Sequence, residues 1–487
     1  MAEPSFRKDL KTGFIYTAAA KYSGIIISLI VSAILSRLLP PEDFGTIAVA
    51  MVFIVFFSIF SDMGISSAII QKRNLSKEEH DAIFTFTVYV SLILSVGFFV
   101  SSWLIARIYD TPQLTPICQI LSLNILFATI TIVPNGLLLR DKMFKYIGIR
   151  TLSVQFVLAI VSIIAALSGA GIYALLINPV GSSILVFFLS YWKFPLHLYK
   201  GNCLHAIKKI ASYSAYTFGF SLITYFTRNL DKLMIGKVFG MSPLGYYEKS
   251  YRLMLLPVQN LTHVITPVLH PALADYQSDL KSQTYKYLHL IKILAIIGFP
   301  ISAYLFFSAR ELILLIFGNQ WEPAVPVFKI LALTVGLQIC GATSGSFYQA
   351  ANKTKGMFYL GIANTIISIT GLFIGIYVLK TIEGVAWMWV ATSFVGLWNN
   401  WYFASITHIP VIDTFKPYFP GLITTAAVTV ILRPINALSP SSEIIILLIN
   451  TAITGLIILL SIQHFKILDL KSRLLRLTTL IKYKNSK

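Results

Sequence analysis

Arg228, Asp231 and Lys232 stand at i, i+3 and i+4 spacing inside one long apolar stretch of the chain. If that stretch is helical, all three share one face. Glu248, Lys249 and Arg252 lie within a turn of one another near the start of the next apolar stretch. Lys21 sits about a third of the way along the first stretch, and Asp62 reaches a similar depth in the second. Arg150 and Lys292 lie closer to the ends of theirs. Ionisable side chains in hydrocarbon are expensive and face a cavity or a partner. Cations outnumber carboxylates in this set, so the chemistry on offer is the binding of an anion. Arginine would supply bidentate hydrogen bonds and lysine a point charge. Lys21, Arg228, Lys232, Lys249 and Arg252 are the candidate substrate-binding cations, and Asp62 and Asp231 are candidates for ion coupling or ion pairing. A plainer interpretation stands beside this one. Lys21 and Asp62 would form a structural pair, Asp231 would neutralise Arg228 or Lys232, and Arg150 and Lys292 would snorkel to the surface.

The elements that must carry these residues are membrane spans. The chain has 487 residues, 56% of them hydrophobic and only 12% charged, against about a quarter charged in soluble domains. A span needs about 20 apolar residues. Candidates lie near 13–37, 44–70, 82–106, 114–138, 147–168, 171–192, 213–236, 244–270, 287–308, 325–350, 357–379, 384–407, 416–433 and 443–463. The stretches at 244–270 and 325–350 are the weakest, the first for its charges and the second for its Gly and Ser. None shows period-2 alternation, so the expectation is an all-α integral membrane protein of about 14 transmembrane helices rather than a barrel. The first stretch has no small-x-small cleavage site and is expected to remain as a span. Cys118, Cys203 and Cys340 have no paired spacing, and the eight histidines include no HExxH. No metal, cofactor or catalytic residue is therefore expected. A phosphate-cradling GxxxxGK[ST] loop is also missing, so energy would come from an ion gradient, the membrane potential or downstream consumption of substrate.

The net charge of +19 is distributed in a way that speaks against nucleic acid. With fourteen spans and a cytoplasmic N-terminus, Arg and Lys in the inside segments outnumber those outside by roughly four to one, a positive-inside pattern that puts both termini in the cytoplasm. The stretch from Phe465 to Ile481 alternates basic residues with Leu and Ile, as an amphipathic helix on an anionic leaflet would. Among the tryptophans, Trp192, Trp321 and Trp387 fall where interface belts belong, whereas Trp398 and Trp401 lie deeper, for packing or for stacking on sugars. Pro257 predicts a kink. Glu42 and Asp43 suit the start of a helix.

The chain also repeats. Arg37–Gly45 reads RLLPPEDFG and Lys237–Gly245 reads KVFGMSPLG, 200 positions apart; Tyr146-Ile-Gly-Ile149 recurs as Tyr359-Leu-Gly-Ile362, 213 positions apart. The thirteen extra residues belong near Arg310–Pro323. Two six-helix lobes related by a parallel pseudo-repeat follow, residues 1–193 and 213–407. A cytoplasmic connection (194–212), two further helices (408–463) and a basic tail (464–487) complete the chain. Binding sites in such proteins lie at the repeat interface. Lys21 aligns with Ser221 and Asp62 with Thr262, so the charged pair is not duplicated.

Several segments carry a family resemblance: Ser36–Gly45 (SRLLPPEDFG), Ser61–Gln71 (SDMGISSAIIQ), Pro267–Ala274 (PVLHPALA) and Phe317–Pro326 (FGNQWEPAVP). Together the chain resembles the polysaccharide-transport branch of the multidrug/oligosaccharidyl-lipid/polysaccharide flippase superfamily, especially exporters of the colanic-acid and teichuronic-acid type. The resemblance implies a two-lobe bundle in the bacterial inner membrane. Its cargo would be an undecaprenyl-diphosphate-linked oligosaccharide repeat unit, moved to the outer leaflet for surface polysaccharide synthesis. Fixed cations would replace the hydration of the diphosphate, Na+ or H+ would be the coupling ion, and a polysaccharide polymerase would be the downstream partner. An ion-coupled multidrug antiporter and a peptidoglycan-precursor flippase of the same superfamily are the alternatives within transport. A membrane-embedded polysaccharide polymerase is the alternative outside it. Against that last one, the longest outside loop, near 309–324, offers only Glu311 and Glu322.

Overall fold

The computed structural model describes residues 3–62, 64–72, 74–201, 203, 225–226, 228–276, 279–438 and 443–465. These residues are helical with short connections and include no strand. In hydrocarbon that is the expected outcome, because a helix satisfies every backbone N–H and C=O within its own segment. Ten helices are long and apolar enough to cross a membrane, or eleven if one bent pair counts as a span, among the described residues. The chain divides into two compact units, Met1–Glu248 and Lys249–Lys487.

In the first unit, α1 (Glu3–Leu38), α2 (Pro41–Asp62), α4 (Lys77–Ile108), α5 (Leu114–Arg140), α6 (Phe144–Leu167) and α7 (Ala174–Lys193) are the long helices, and α3 (Ile65–Gln71) is a short one. Ser76 opens α4 with a capping box: its hydroxyl accepts from the Glu79 amide (3.1 Å), and the Glu79 carboxylate accepts from the Ser76 amide (2.9 Å). Ile69, Ile83 and Val133 are fully buried where α3, α4 and α5 meet. Beyond α7 the extended chain lies along α4. The His197 amide donates to Asp81 (2.9 Å), the Tyr199 amide donates to Thr85 (2.7 Å), and Leu196 is buried in that core.

The first unit also holds α8 (228–239) and the opening of α9 (Met241–Ala274). Gly240, at φ 94°, is the single residue between them; its missing Cβ makes so tight a turn cheap. The openings of α2 and α9 cross there with almost no side chain between them. A Cβ at Gly45 would lie 1.8 Å from the Met241 carbonyl oxygen, and one at Gly245 would lie 2.1 Å from the Pro41 carbonyl oxygen. Gly45 pairs with Met241 as Gly245 pairs with Pro41, so the contact is reciprocal about the 200-residue offset of the sequence repeat. Small residues let membrane helices approach this closely. Neighbouring contacts reinforce the crossing: the Tyr109 hydroxyl donates to the Leu233 carbonyl (3.1 Å), the Tyr225 hydroxyl to the Val52 carbonyl (3.3 Å), and Lys237 pairs with Asp110 (2.9 Å).

The second unit is built on α10 (Leu280–Phe307), which packs against α13 (Val335–Gly341), α19 (Phe419–Leu438) and α20 (Glu443–His464). Asp279 caps α10, accepting from the Ser282 hydroxyl (2.6 Å) and amide (3.1 Å). Those bonds hold its carboxyl below the usual range, so the cap is intact at neutral pH and is lost as pH falls through that lowered value.

Two expected spans are more broken than the sequence suggests. The stretch near 325–350 is a pair, Ala324–Ala332 (α12) and Val335–Ala350 (α13 with α14, Ser344–Ala350), bent by 45°. The one near 384–407 is α16 (Ile382–Val395) and α17 (Asn399–Thr407) joined by a 3-10 turn at Gly396–Trp398. α9 runs unbroken through Pro257 but carries Glu248, Lys249 and Arg252. The expected loop at 309–324 is α11 (Ala309–Phe317), which buries Ile313, Leu314 and Phe317, followed by a 3-10 turn. Glu311 is buried there, while Glu322 is exposed and pairs with Arg310 (3.5 Å). The connection 204–224 and the tail 466–487, including Ser221 and most of the expected amphipathic helix, lie outside the described residues.

Gly45→Ala and Gly245→Ala each insert one Cβ into the crossing. Each is expected to destabilise the detergent-purified protein by about 1–3 kcal/mol, the cost of overpacking. Gly361→Ala on α15 (Thr354–Phe373), where a Cβ meets nothing within 4 Å, is expected to be neutral or mildly stabilising. Thermal unfolding of the three variants checks both.

Candidate functional site

α8 and the start of α9 position the densest group of ionisable residues. Asp231 is 4% exposed and Tyr247 is fully buried; the Tyr247 hydroxyl donates to Asp231 Oδ2 at 2.8 Å. The backbone amide of Lys232 donates to Asp231 Oδ1, also at 2.8 Å. Lys232 Nζ lies 2.9 Å from Glu248 Oε2, with both side chains largely buried, although Glu248 Oε2 receives no directed hydrogen bond. The sequence grouped Glu248 with Lys249 and Arg252 and left Asp231 to neutralise a neighbouring cation. In the structure Lys232 takes Glu248, and Asp231 is held by a phenol and a backbone N–H. Tyr247 went unnoticed in the sequence because nothing there says that the turn at Gly240 brings it back beside Asp231.

The other candidates fall in different surroundings. Arg228, on the same helix as Asp231, is exposed and forms no ion pair among the described residues. Lys21 is exposed on α1. Asp62 closes α2, and its side chain lies outside the described residues. In the second unit Lys249 is 4% exposed, with Nζ 4.8 Å from the Phe317 ring centroid and 5.5 Å from that of Trp321, a cation–π setting. Arg252 is exposed on α9.

Arg150 does not snorkel. It is buried, donating from Nη1 to Ser190 Oγ (2.5 Å) and from Nη2 to Asn135 Oδ1 (3.0 Å), while its Nε has no partner. Neutral oxygens on α5 and α7 hold it inward. Asn135 also lines a cavity of about 310 Å³ between α2 and α5, walled by Ser58, Ser61, Asn124, Thr129 and Thr131. None of the five candidate cations lines that cavity. Of the aromatic residues, Trp192 and Trp387 are exposed as a belt requires, but Trp321 is fully buried against Phe317 and Lys249. Trp401 is exposed, and Trp398 Nε1 donates to Asn364 (3.1 Å). No group of three or more His, Cys, Asp or Glu suited to a metal occurs among the described residues.

Comparison with known proteins adds the biological frame. A family model described as "Polysaccharide biosynthesis protein" matches residues 34–326. The lipopolysaccharide biosynthesis protein WzxC of Escherichia coli is 25% identical over 76% of this chain and 76% of its own. The teichuronic acid biosynthesis protein TuaB of Bacillus subtilis is 24% identical over 88% of this chain and 89% of its own. Among solved structures, the lipid II flippase MurJ in an inward closed conformation superposes with a TM-score of 0.73 at 16% identity, covering 93% of this chain and 98% of that one. A multidrug MATE-family transporter in an inward-facing conformation gives 0.58 at 16% identity, over 83% and 95%. The fold is shared with both.

Tyr247→Phe leaves a buried carboxylate oxygen short of a donor and is expected to cost about 1–3 kcal/mol. The same change in an Asp231→Asn background is expected to cost less, because the two groups are coupled. A double-mutant cycle by thermal unfolding measures the difference; strictly additive costs would contradict the contact.

Proposed function

This chain belongs to the polysaccharide biosynthesis protein family, and from that premise we propose that it is a flippase for lipid-linked oligosaccharide repeat units. The cargo proposed is an undecaprenyl-diphosphate-linked saccharide, loaded from the cytoplasmic leaflet and delivered to the outer one for surface polysaccharide assembly. The single observation that carries the anionic cargo is Arg228, an exposed guanidinium without a carboxylate partner among the described residues, one turn from a buried acidic cluster on an apolar helix. A guanidinium in that position can meet two phosphate oxygens at once, replacing water that the diphosphate gives up. Lys21 and Arg252, both exposed, are proposed to contribute further positive charge, with Lys232 and Lys249 at the edges of the path.

Alternating access gives the repeat a mechanical meaning. The lobes proposed are residues 1–193 and 213–407, with both termini in the cytoplasm of a bacterial inner membrane; the positive-inside bias supports that orientation. On it, the crossing of α2 and α9 at Gly45 and Gly245 lies at the outer end. It would be closed while cargo is loaded from inside and would part when cargo leaves. Asp231 or Asp62 is proposed as the coupling site, with H+ or Na+ as the ion. For Asp231, a buried carboxylate bonded to a phenol can take up a proton without losing its other contacts.

Deleting the gene is expected to leave lipid-linked repeat units accumulated on the cytoplasmic leaflet, measured by leaflet-selective enzymatic labelling of the sugar. Arg228→Ala and Lys21→Ala are expected to abolish export of surface polysaccharide at normal protein level, with Arg228→Lys intermediate because it loses the bidentate geometry. Normal polymer from both alanine variants would remove the cationic path.

A further inference from the structure

We propose that a second cavity, enclosed wholly within the unit Lys249–Lys487, is a saccharide subsite that holds one neutral hexopyranose ring of the cargo. It rests on the flippase function proposed above and adds a site that the charged residues do not supply. The cavity has a volume of about 290 Å³ and is formed by α10, α13, α14, α15, the broken α16–α17 span, the short α18 (Val411–Phe415) and the 3-10 turn Lys416–Tyr418 that precedes α19. Ligand pockets run from about 300 to 1,000 Å³, so this one suits a single ring rather than an oligosaccharide.

Its walls match a sugar in two respects. Tyr287, Tyr348 and Tyr418 line it. Tyr287 and Tyr348 also pack on Phe347, and Tyr418 is the least buried of the three. An aromatic edge or face left toward the cavity can meet the C–H groups of a pyranose. Asn364, Asn399 and Asn400 bring three amides to the same space, able to donate to and accept from ring hydroxyls. No lysine, arginine, aspartate or glutamate lines it, so neither a diphosphate nor a cationic drug finds a counter-charge there. Asn399 Oδ1 is buried and has no hydrogen-bond partner. Asn364 Oδ1 is occupied by the Trp398 indole N–H, which fixes its amide plane and leaves the NH2 group available. Among the described residues no protein group bonds the Asn399 oxygen, and a polar side chain at membrane depth is costly without a hydrogen-bonding partner. Water would satisfy the amides alone, whereas the aromatic surfaces are complementary to a sugar ring.

The break in the α16–α17 span supplies the geometry. The 3-10 turn at Gly396–Trp398 changes the winding just before Asn399 and Asn400. Irregular backbone at membrane depth is tolerated where it lines a cavity, and Gly396, Leu397, Asn399 and Asn400 all line this one.

The test uses the full chain in cells that make the cargo, with a photo-crosslinking p-benzoylphenylalanine replacing Ser393, a residue of the cavity wall. In a parallel strain it replaces Phe226, an exposed aromatic residue two positions before Arg228. After irradiation the adducts are identified by mass spectrometry. Capture of a hexose-bearing prenyl lipid from position 393, reduced about tenfold by Asn399→Leu but retained in Asn399→Gln at equal protein level, is the expected result. Saccharide capture at 226 with only phospholipid or no adduct at 393 would overturn the subsite and leave the flippase function standing. Saccharide-bearing lipid at neither position would overturn both.

Discussion

The backbone contact between α2 and α9 at Gly45 and Gly245 is the constraint on which the rest depends. Two helices that open 200 residues apart in the sequence meet there with backbone against backbone, each glycine facing the first turn of the other helix. Nothing larger than hydrogen fits. In a bilayer the hydrophobic effect does not drive helix against helix, so this packing and its polar supports carry the association. Tyr109, Tyr225 and the Lys237–Asp110 pair supply those supports without covalent linkage. Such a contact can be tight in one conformation and separate in another, as alternating access demands. The reciprocal pattern follows the 200-residue offset between the two similar segments of the sequence.

Around that junction the charges sort by what they can afford. Three of the buried groups have local partners: Asp231 has Tyr247 and a backbone N–H, Lys232 has Glu248, and in the second unit Lys249 has aromatic faces. Arg228 remains exposed on the helix that carries Asp231. A buried charge that already has partners gains little from cargo, whereas an exposed guanidinium on an apolar helix gains a great deal. In this account the diphosphate is met by guanidinium and ammonium groups and the sugars by neutral amides and phenols, two chemistries in different places.

Much of this was legible in the sequence, and the exceptions have physical causes. The uniformly apolar spans, α4, α5, α6, α10 and α20 among them, lie close to where hydropathy put them, because a span of about 20 apolar residues has no other stable form in lipid. The bend between α12 and α13 and the turn at Gly396–Trp398 were hidden, since a hydropathy window averages over a break that leaves composition unchanged. Trp321 looked like an interface anchor but fills the core beside Phe317 and Lys249; its position near a span end could not reveal that α11 folds over it. Arg150 was expected to reach for the surface, yet Ser190 and Asn135, distant in sequence, hold it inside. The grouping at Asp231 was half readable: helical spacing gave Arg228, Asp231 and Lys232, but the partners Tyr247 and Glu248 arrive through a turn.

The most direct measurement is translocation by the purified protein in liposomes. A prenyl-diphosphate-linked saccharide with a fluorescent sugar is placed in both leaflets, and a membrane-impermeant reagent destroys the outward-facing pool. The account predicts that reagent-accessible label rises from half toward all of it when the protein is present. A Cys pair replacing Asp110, just past α4, and Lys237 on α8, bridged by a short bifunctional thiol reagent beside the α2–α9 crossing, should abolish that rise, and cleaving the bridge should restore it. Undiminished translocation with the junction bridged, or accessibility that stays at half with active protein, would contradict it.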